Sequence, residues 1–157
     1  MNTPSTPSPR RQVFISYAHA DAQWLERLQT HLKPLERAGQ IDRWDDTRIK
    51  PGMEWRKEIE QALARARVAV LLVSAAFLAS DFIVNNELPP LLAAAEEEGA
   101  LILPIILSPC RFERTPALSR FQAANPPSKT LEEMSVAEWN RVLVAVSERI
   151  EEIFLSP

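Results

Sequence analysis

The apolar positions of this chain change period several times between its ends. Gln12-Val13-Phe14-Ile15-Ser16 is a short β-type run. From Asp21 to Ala38, Trp24, Leu28, Leu32 and Leu35 recur at steps of three and four, the spacing of one helix face. Gln40 to Asp45 reads as a second strand, closed by the loop Asp46 to Gly52. Met53 to Arg67 is the next helix, with Trp55, Ile59, Leu63 and Ala66 on one stripe. Val68 to Ser74 is nearly all apolar, as a strand buried on both faces should be. A helix then runs to about Glu98 and is stopped by Gly99. Ala100 to Leu107 is another continuous apolar strand. Ser135-Val136-Ala137-Glu138 is a capping box that opens a last helix, striped by Trp139, Val142, Val146, Ile150 and Ile153. Between these, Ser108 to Thr130 carries Pro109, Pro116, Pro126 and Pro127 and is mostly loop, with a short edge strand near Leu118 to Gln122.

Strand and helix in alternation predict an α/β fold, an open parallel sheet of about five strands with helices on both faces. Ligands of such sheets bind off the carboxyl ends of the strands. Those ends are Ser16-Tyr17-Ala18, Trp44-Asp45-Asp46, Ser74 to Phe77 and Leu107-Ser108. The third leads into the most informative stretch of the chain, Val73 to Leu88, which carries Phe77, Phe82 and a single glutamate, Glu87, just ahead of Pro89-Pro90. Proline is tolerated in a first helical turn, so a helix is expected to start close to Glu87, with Asn85 or Asn86 near the cap. A carboxylate there would feel the positive helix end and stay ionised. A strand end, two aromatic rings and one carboxylate together point to a small-molecule site.

Composition narrows the picture. The chain has 157 residues, 46% apolar and 25% charged, enough for one globular domain, and shows no internal repeat. Residues 1–10, rich in Ser, Thr and Pro without an apolar segment, read as a disordered leader to a domain over residues 11–157, not as a signal peptide. No apolar run reaches the ~18 residues of a membrane span. The only cysteine, Cys110, fits a reducing, cytoplasmic setting and reads as inert. A net charge of −3 argues against direct nucleic-acid binding.

Three glycines, Gly39, Gly52 and Gly99, cannot make a G-x-G-x-x-G or a P-loop, and no G-x-S-x-G elbow is present. His19, His31 and Cys110 do not form a metal-ligand set. A phosphate-receiver domain would need acidic residues where Ser16-Tyr17 and Ser74 stand.

Three segments carry a resemblance. Phe14-Ile15-Ser16-Tyr17, Ile49-Lys50-Pro51-Gly52 leading into Trp55, and Ser74 to Glu87 look like the signature regions of Toll/interleukin-1 receptor (TIR) domains of bacterial type, in order and on the expected strands and loops. The resemblance covers about Arg11 to Phe154 and implies a flavodoxin-like fold. It also implies one of two roles. Many such domains cleave NAD at the nicotinamide–ribose bond, some cyclising the ADP-ribose product, in settings such as anti-phage immunity. Others are non-catalytic adaptors that signal by TIR–TIR contact. The position matching the family's catalytic glutamate is Glu87. Many relatives place Ser-x-Trp-Cys before it. This chain reads Ser80-Asp81-Phe82-Ile83 with one residue more before the glutamate, so the stacking aromatic is Phe82 or Phe77.

On the same resemblance NAD is a substrate, and neither a cofactor nor a metal is implied. Tyr17 and Asp45, at strand ends, are candidates for substrate contact, and Trp44 for either stacking or packing. Arg43, Arg48 and Lys50 are candidates to neutralise the diphosphate. Pro51 and Gly52 shape a loop that in relatives reaches a neighbouring copy, which implies head-to-tail self-assembly, driven by a fused or separate sensor.

Overall fold

The structure, a computed structural model, describes residues 12–155. The expected leader over residues 1–10 lies outside them. Four strands form one parallel sheet: β1 (Gln12–Ser16), β2 (Asp42–Trp44), β3 (Ala66–Val73) and β4 (Leu101–Ile106), in the order β2-β1-β3-β4. The register pairs Phe14 with Trp44 across β1 and β2, and with Ala69 across β1 and β3. Among the described residues six α-helices surround the sheet: α1 (Ala22–Arg37), α2 (Trp55–Arg65), α3 (Ala75–Ala79), α4 (Leu88–Glu98), α5 (Pro116–Ser119) and α6 (Val136–Leu155).

Residue parity along the buried strands explains why helices lie on both sides. Val13 and Ile15 of β1, with Val68, Val70 and Leu72 of β3, meet Leu25, Leu28 and Leu32 of α1 and Leu143, Val146 and Ile150 of α6. Phe14 and the alternate residues Ala69, Leu71 and Val73 turn to the other face, against Ile59 and Leu63 of α2 and Leu88 and Leu91 of α4. A strand with side chains alternating into two cores cannot carry a polar face. On the first face, Trp24 meets Trp139 edge-on at 5.4 Å, and the Arg27 guanidinium sits 4.4 and 4.6 Å from the two ring centres.

Several boundaries differ from the sequence expectation, each for a local reason. The sheet has four strands, because the segment expected as an edge strand near Leu118 to Gln122 is instead the short helix α5. Pro116 opens it at a position where proline needs no donor, and Leu118 is driven into the core. β2 is shorter than Gln40 to Asp45. β3 begins at Ala66, taking the last two residues of the expected α2 helix, because Gln12 of β1 pairs with Ala66.

The largest difference lies before α4. Ile83–Glu87 forms a π turn that continues into α4, with the Leu88 amide donating to the Ile83 carbonyl. Glu87 is therefore not at a free helix start. Neither Asn85 nor Asn86 caps it, and the Asn86 side chain donates to the Phe82 carbonyl instead. The stop and the last start follow the sequence: Gly99 adopts φ +74° and donates to Ala94, and Ser135 and Glu138 close their reciprocal box at 3.2 Å each way. Among the described residues no helix is long and apolar enough to cross a membrane.

Candidate functional site

The order β2-β1-β3-β4 reverses direction at β1 and β3, and a crevice opens off the carboxyl ends of strands at such a switch point. Here the crevice is a cavity of about 580 Å³. Tyr17, Ala18 and His19 enter it from the end of β1, and Asp46 and Ile49 from the loop after β2. Ser80, Phe82, Ile83 and Glu87 come from the segment after β3, and Trp55 and Ile59 from α2. The end of β3 is tied to the start of α1. Ser74 accepts from the Phe77 amide at 3.0 Å, which starts α3, and donates to the Asp21 carboxylate at 2.5 Å.

Glu87 is the buried charge of the cavity, 9% exposed. Burial pushes its carboxyl up to about 7, and the neighbouring Asp46 charge adds to the rise. The Ser16 hydroxyl and His19 act in the opposite direction. The expectation that a helix end holds Glu87 ionised is thus overturned. The π turn removes the free helix start, and desolvation outweighs what remains of the dipole. Ser16 Oγ is buried and has no hydrogen-bond partner among the described residues.

A second polar group sits at the mouth. Asp46 accepts from Tyr17 Oη at 2.7 Å on one carboxylate oxygen, and its other oxygen lies 2.5 Å from His19 Nε2. Burial, then the Asp46 hydrogen bond and charge, raise the Tyr17 phenol well above its ordinary range, so it stays a neutral donor. Two aromatic rings form the rim. Trp55 and Phe82 lie 5.2 Å apart, tilted by 57°, and remain 43% and 41% exposed. Exposed apolar side chains that gather into one patch, unlike scattered ones, mark binding or contact surfaces.

The residues singled out from the sequence divide cleanly. Glu87, Tyr17 and Phe82 meet in the cavity. Phe77 does not: it is fully buried in the core under α3, so Phe82 is the aromatic at the rim. Trp44 stacks on Phe14 at 5.0 Å and 14°, and its place is packing. Asp45 is fully buried and spent on structure, accepting from Gln29 at 3.1 Å, from the Thr47 amide at 3.1 Å, and from the Thr47 hydroxyl and Arg43. Arg43 is held between Asp45 and Glu36. Arg48 and Lys50 are exposed and do not line the cavity.

The sequence reading missed His19, Asp46 and the rim role of Trp55. Asp46 was masked by its neighbour. In an Asp45-Asp46 pair at a strand end one carboxylate caps the turn inward and the next faces out, and sequence does not say which. Trp55 shares a stripe with Ile59 and Leu63 in the sequence, yet as the first residue of α2 it stays 43% exposed while those two are buried.

The TIR-domain family profile matches residues 13–148. The chain belongs to the TIR-domain family. A curated relative, the uncharacterized protein y4lF of Sinorhizobium fredii, is 35% identical over 104 residues, 66% of this chain. This chain spans 32% of that relative's length. Among solved structures, the TIR domain of the Toll-related receptor TRR-2 of Hydra magnipapillata superposes with a TM-score of 0.54 at 21% identity, covering 89% of this chain and 97% of that one. The TIR domains of the activated Roq1 resistosome, which recognises the pathogen effector XopQ, give 0.54 at 21% identity over 88% of this chain and 84% of that one. These two establish the TIR fold and no more.

Proposed function

We propose that this TIR domain cleaves NAD at the nicotinamide–ribose bond, releasing nicotinamide and ADP-ribose or a cyclic isomer of it. The observation that carries the proposal is a single buried glutamate, Glu87, on the wall of a strand-end cavity whose mouth is ringed by Trp55 and Phe82. The reaction asks little of a protein. The C1′–N bond breaks with its electron pair going to the pyridinium nitrogen, so nicotinamide departs neutral and needs no acid to protonate it. Positive charge is left on the ribose. One ionised carboxylate beside C1′ and the ribose hydroxyls stabilises that charge, and water or an adenine nitrogen then adds and loses a proton. Ordinary glycosides, whose leaving oxygen must be protonated, need a second carboxyl group.

A cationic ring entering the cavity favours ionised Glu87, which lowers its carboxyl from the raised value of the empty site. The experiment is nicotinamide release from NAD by the purified chain at high protein concentration. Glu87→Gln keeps shape and removes charge, and is expected to lower the rate by about two or more orders of magnitude. A folded variant that cleaves NAD at the wild-type rate would remove Glu87 from the reaction. A non-catalytic adaptor role is favoured by a different observation, the exposure of Trp55 and Phe82 at the cavity mouth. An adaptor predicts no nicotinamide release at any concentration.

A further inference from the structure

We infer that this cavity recognises its substrate through the positive charge of a ribosylated pyridinium, with Asp46 as the residue that reads that charge, so that its substrate class is N-ribosylpyridinium cations whether or not a diphosphate is attached. The inference rests on the proposed NAD cleavage and narrows what part of the substrate the cavity selects.

The charge inventory of the walls carries the inference. The lining holds two carboxylates, Asp46 and Glu87, one imidazole, His19, and neither lysine nor arginine. The cations nearby in sequence do not alter this. Arg43 is locked between Glu36 and the fully buried Asp45, and Arg48 and Lys50 stand off the wall. Within one copy, a diphosphate in this cavity would face two carboxylates and neither lysine nor arginine, and like charges brought together away from water repel. A pyridinium would meet the opposite condition. Trp55 and Phe82 offer aromatic faces, which attract cations as well as flat rings.

Asp46 is built for this task. Tyr17 Oη at 2.7 Å and His19 Nε2 at 2.5 Å fix both of its oxygens. Hydrogen bonds to both oxygens hold the carboxylate in one orientation. Asp46 thereby presents a fixed negative charge at the mouth while Glu87 waits on the wall behind. The two carboxylates divide the work. Asp46 acts on the cationic ring before the bond breaks, and Glu87 on the ribose as the charge moves there. An interaction made with the bound substrate and relinquished as the ring becomes neutral lowers KM without raising kcat.

The test uses the whole chain and three probes: NAD, nicotinamide riboside, which lacks the diphosphate and adenosine, and NADH, which keeps both but carries a neutral ring. Nicotinamide release from NAD and from the riboside should have kcat/KM values within about tenfold of each other. Asp46→Asn should raise the apparent KM for both by a similar factor of about tenfold, with kcat less affected, and Asp46→Glu should restore part of the loss. In competition, the riboside should displace NAD at concentrations where NADH does not. A thermal melt of Asp46→Asn separates a folding defect from a recognition defect, and Asp46→Glu decides the matter if the asparagine variant is unstable. Efficient cleavage of NAD with the riboside at least about a hundredfold poorer overturns the inference and leaves the NAD proposal standing. So does NADH competing as well as the riboside. If neither compound is cleaved, the NAD proposal fails, and calorimetric binding decides this one: riboside bound in preference to NADH supports charge recognition, and equal or absent binding ends it.

Discussion

Glu87 is buried in the empty site at a cost. Its carboxyl titrates near 7 instead of 4.5, so the folded state holds a proton that the unfolded chain gives up between those values. That contribution to stability is fully present below about pH 4.5 and is lost as pH rises through about 7. A shift of this size is worth roughly 3 kcal/mol. Glu87→Gln should therefore be more stable than wild type at pH 8 by up to that amount, with the gap closing toward pH 4.5. Chemical denaturation at the two pH values checks this, and equal stability at pH 8 would mean the carboxylate is well solvated. The activity has the opposite sign. Because the ionised form stabilises the developing cation, kcat/KM should fall on the acid side of about pH 7. The residue that limits stability above neutrality is the one proposed to act, a common trade at functional sites.

At the scale of elements, the segment after β3 decides where Glu87 ends. A π turn holds one residue more per turn than an α turn and is frequent at functional sites. Ile83–Glu87 is such a turn, and Glu87 at its end lines the cavity. The same segment separates two phenylalanines that composition treats alike. Phe77, one helical turn past the end of β3, points into the core, whereas Phe82 follows the break at Ser80 and stays at the rim. Phe82→Ala should remove stacking worth about 0.5–1.5 kcal/mol and raise KM for NAD about 2- to 12-fold with little change in melting temperature. Trp44→Ala should do the reverse, costing about 3–5 kcal/mol of stability through the cavity left against Phe14 while leaving KM alone. A collapse in melting temperature for Phe82→Ala with unchanged KM would place that ring in the core.

For the whole molecule, the open question is whether one copy holds a complete site. The loop from Asp46 to Gly52 contributes only Asp46 and Ile49 to the cavity, and Met53 and Trp55 beyond it are exposed. Gly52 has φ +91°, a conformation that any other residue adopts under strain, although space around it is open. We expect specific activity to climb steeply between nanomolar and high micromolar protein, as it would if copies docked head to tail through this loop. Gly52→Leu should blunt the climb without unfolding the domain. Flat specific activity over that range would show that the isolated copy suffices.

Periodicity and order along the chain were enough to determine the layers of this protein. Alternate residues of Val68 to Val73 must enter two cores, the stripes of Trp24 to Leu35 and of Trp139 to Ile153 must face the sheet, and parallel strands joined by helices leave their carboxyl ends at one edge. Those rules are local or follow from chirality, so Glu87 and Tyr17 could be placed at that edge from sequence. Which of several similar residues turns into the crevice was decided by tertiary structure. Asp45 and Asp46 are adjacent and alike, yet one is consumed by Gln29, Arg43 and Thr47 while the other faces the mouth. Phe77, Trp44 and Phe82 are all aromatic, and only contact with other elements assigns two of them to packing. The protonation of Glu87 depended on tertiary structure in the same way. A helix dipole is a property of one segment, but desolvation is set by everything that covers the group, and that is fixed only when the strands, loops and helices around the cavity come together.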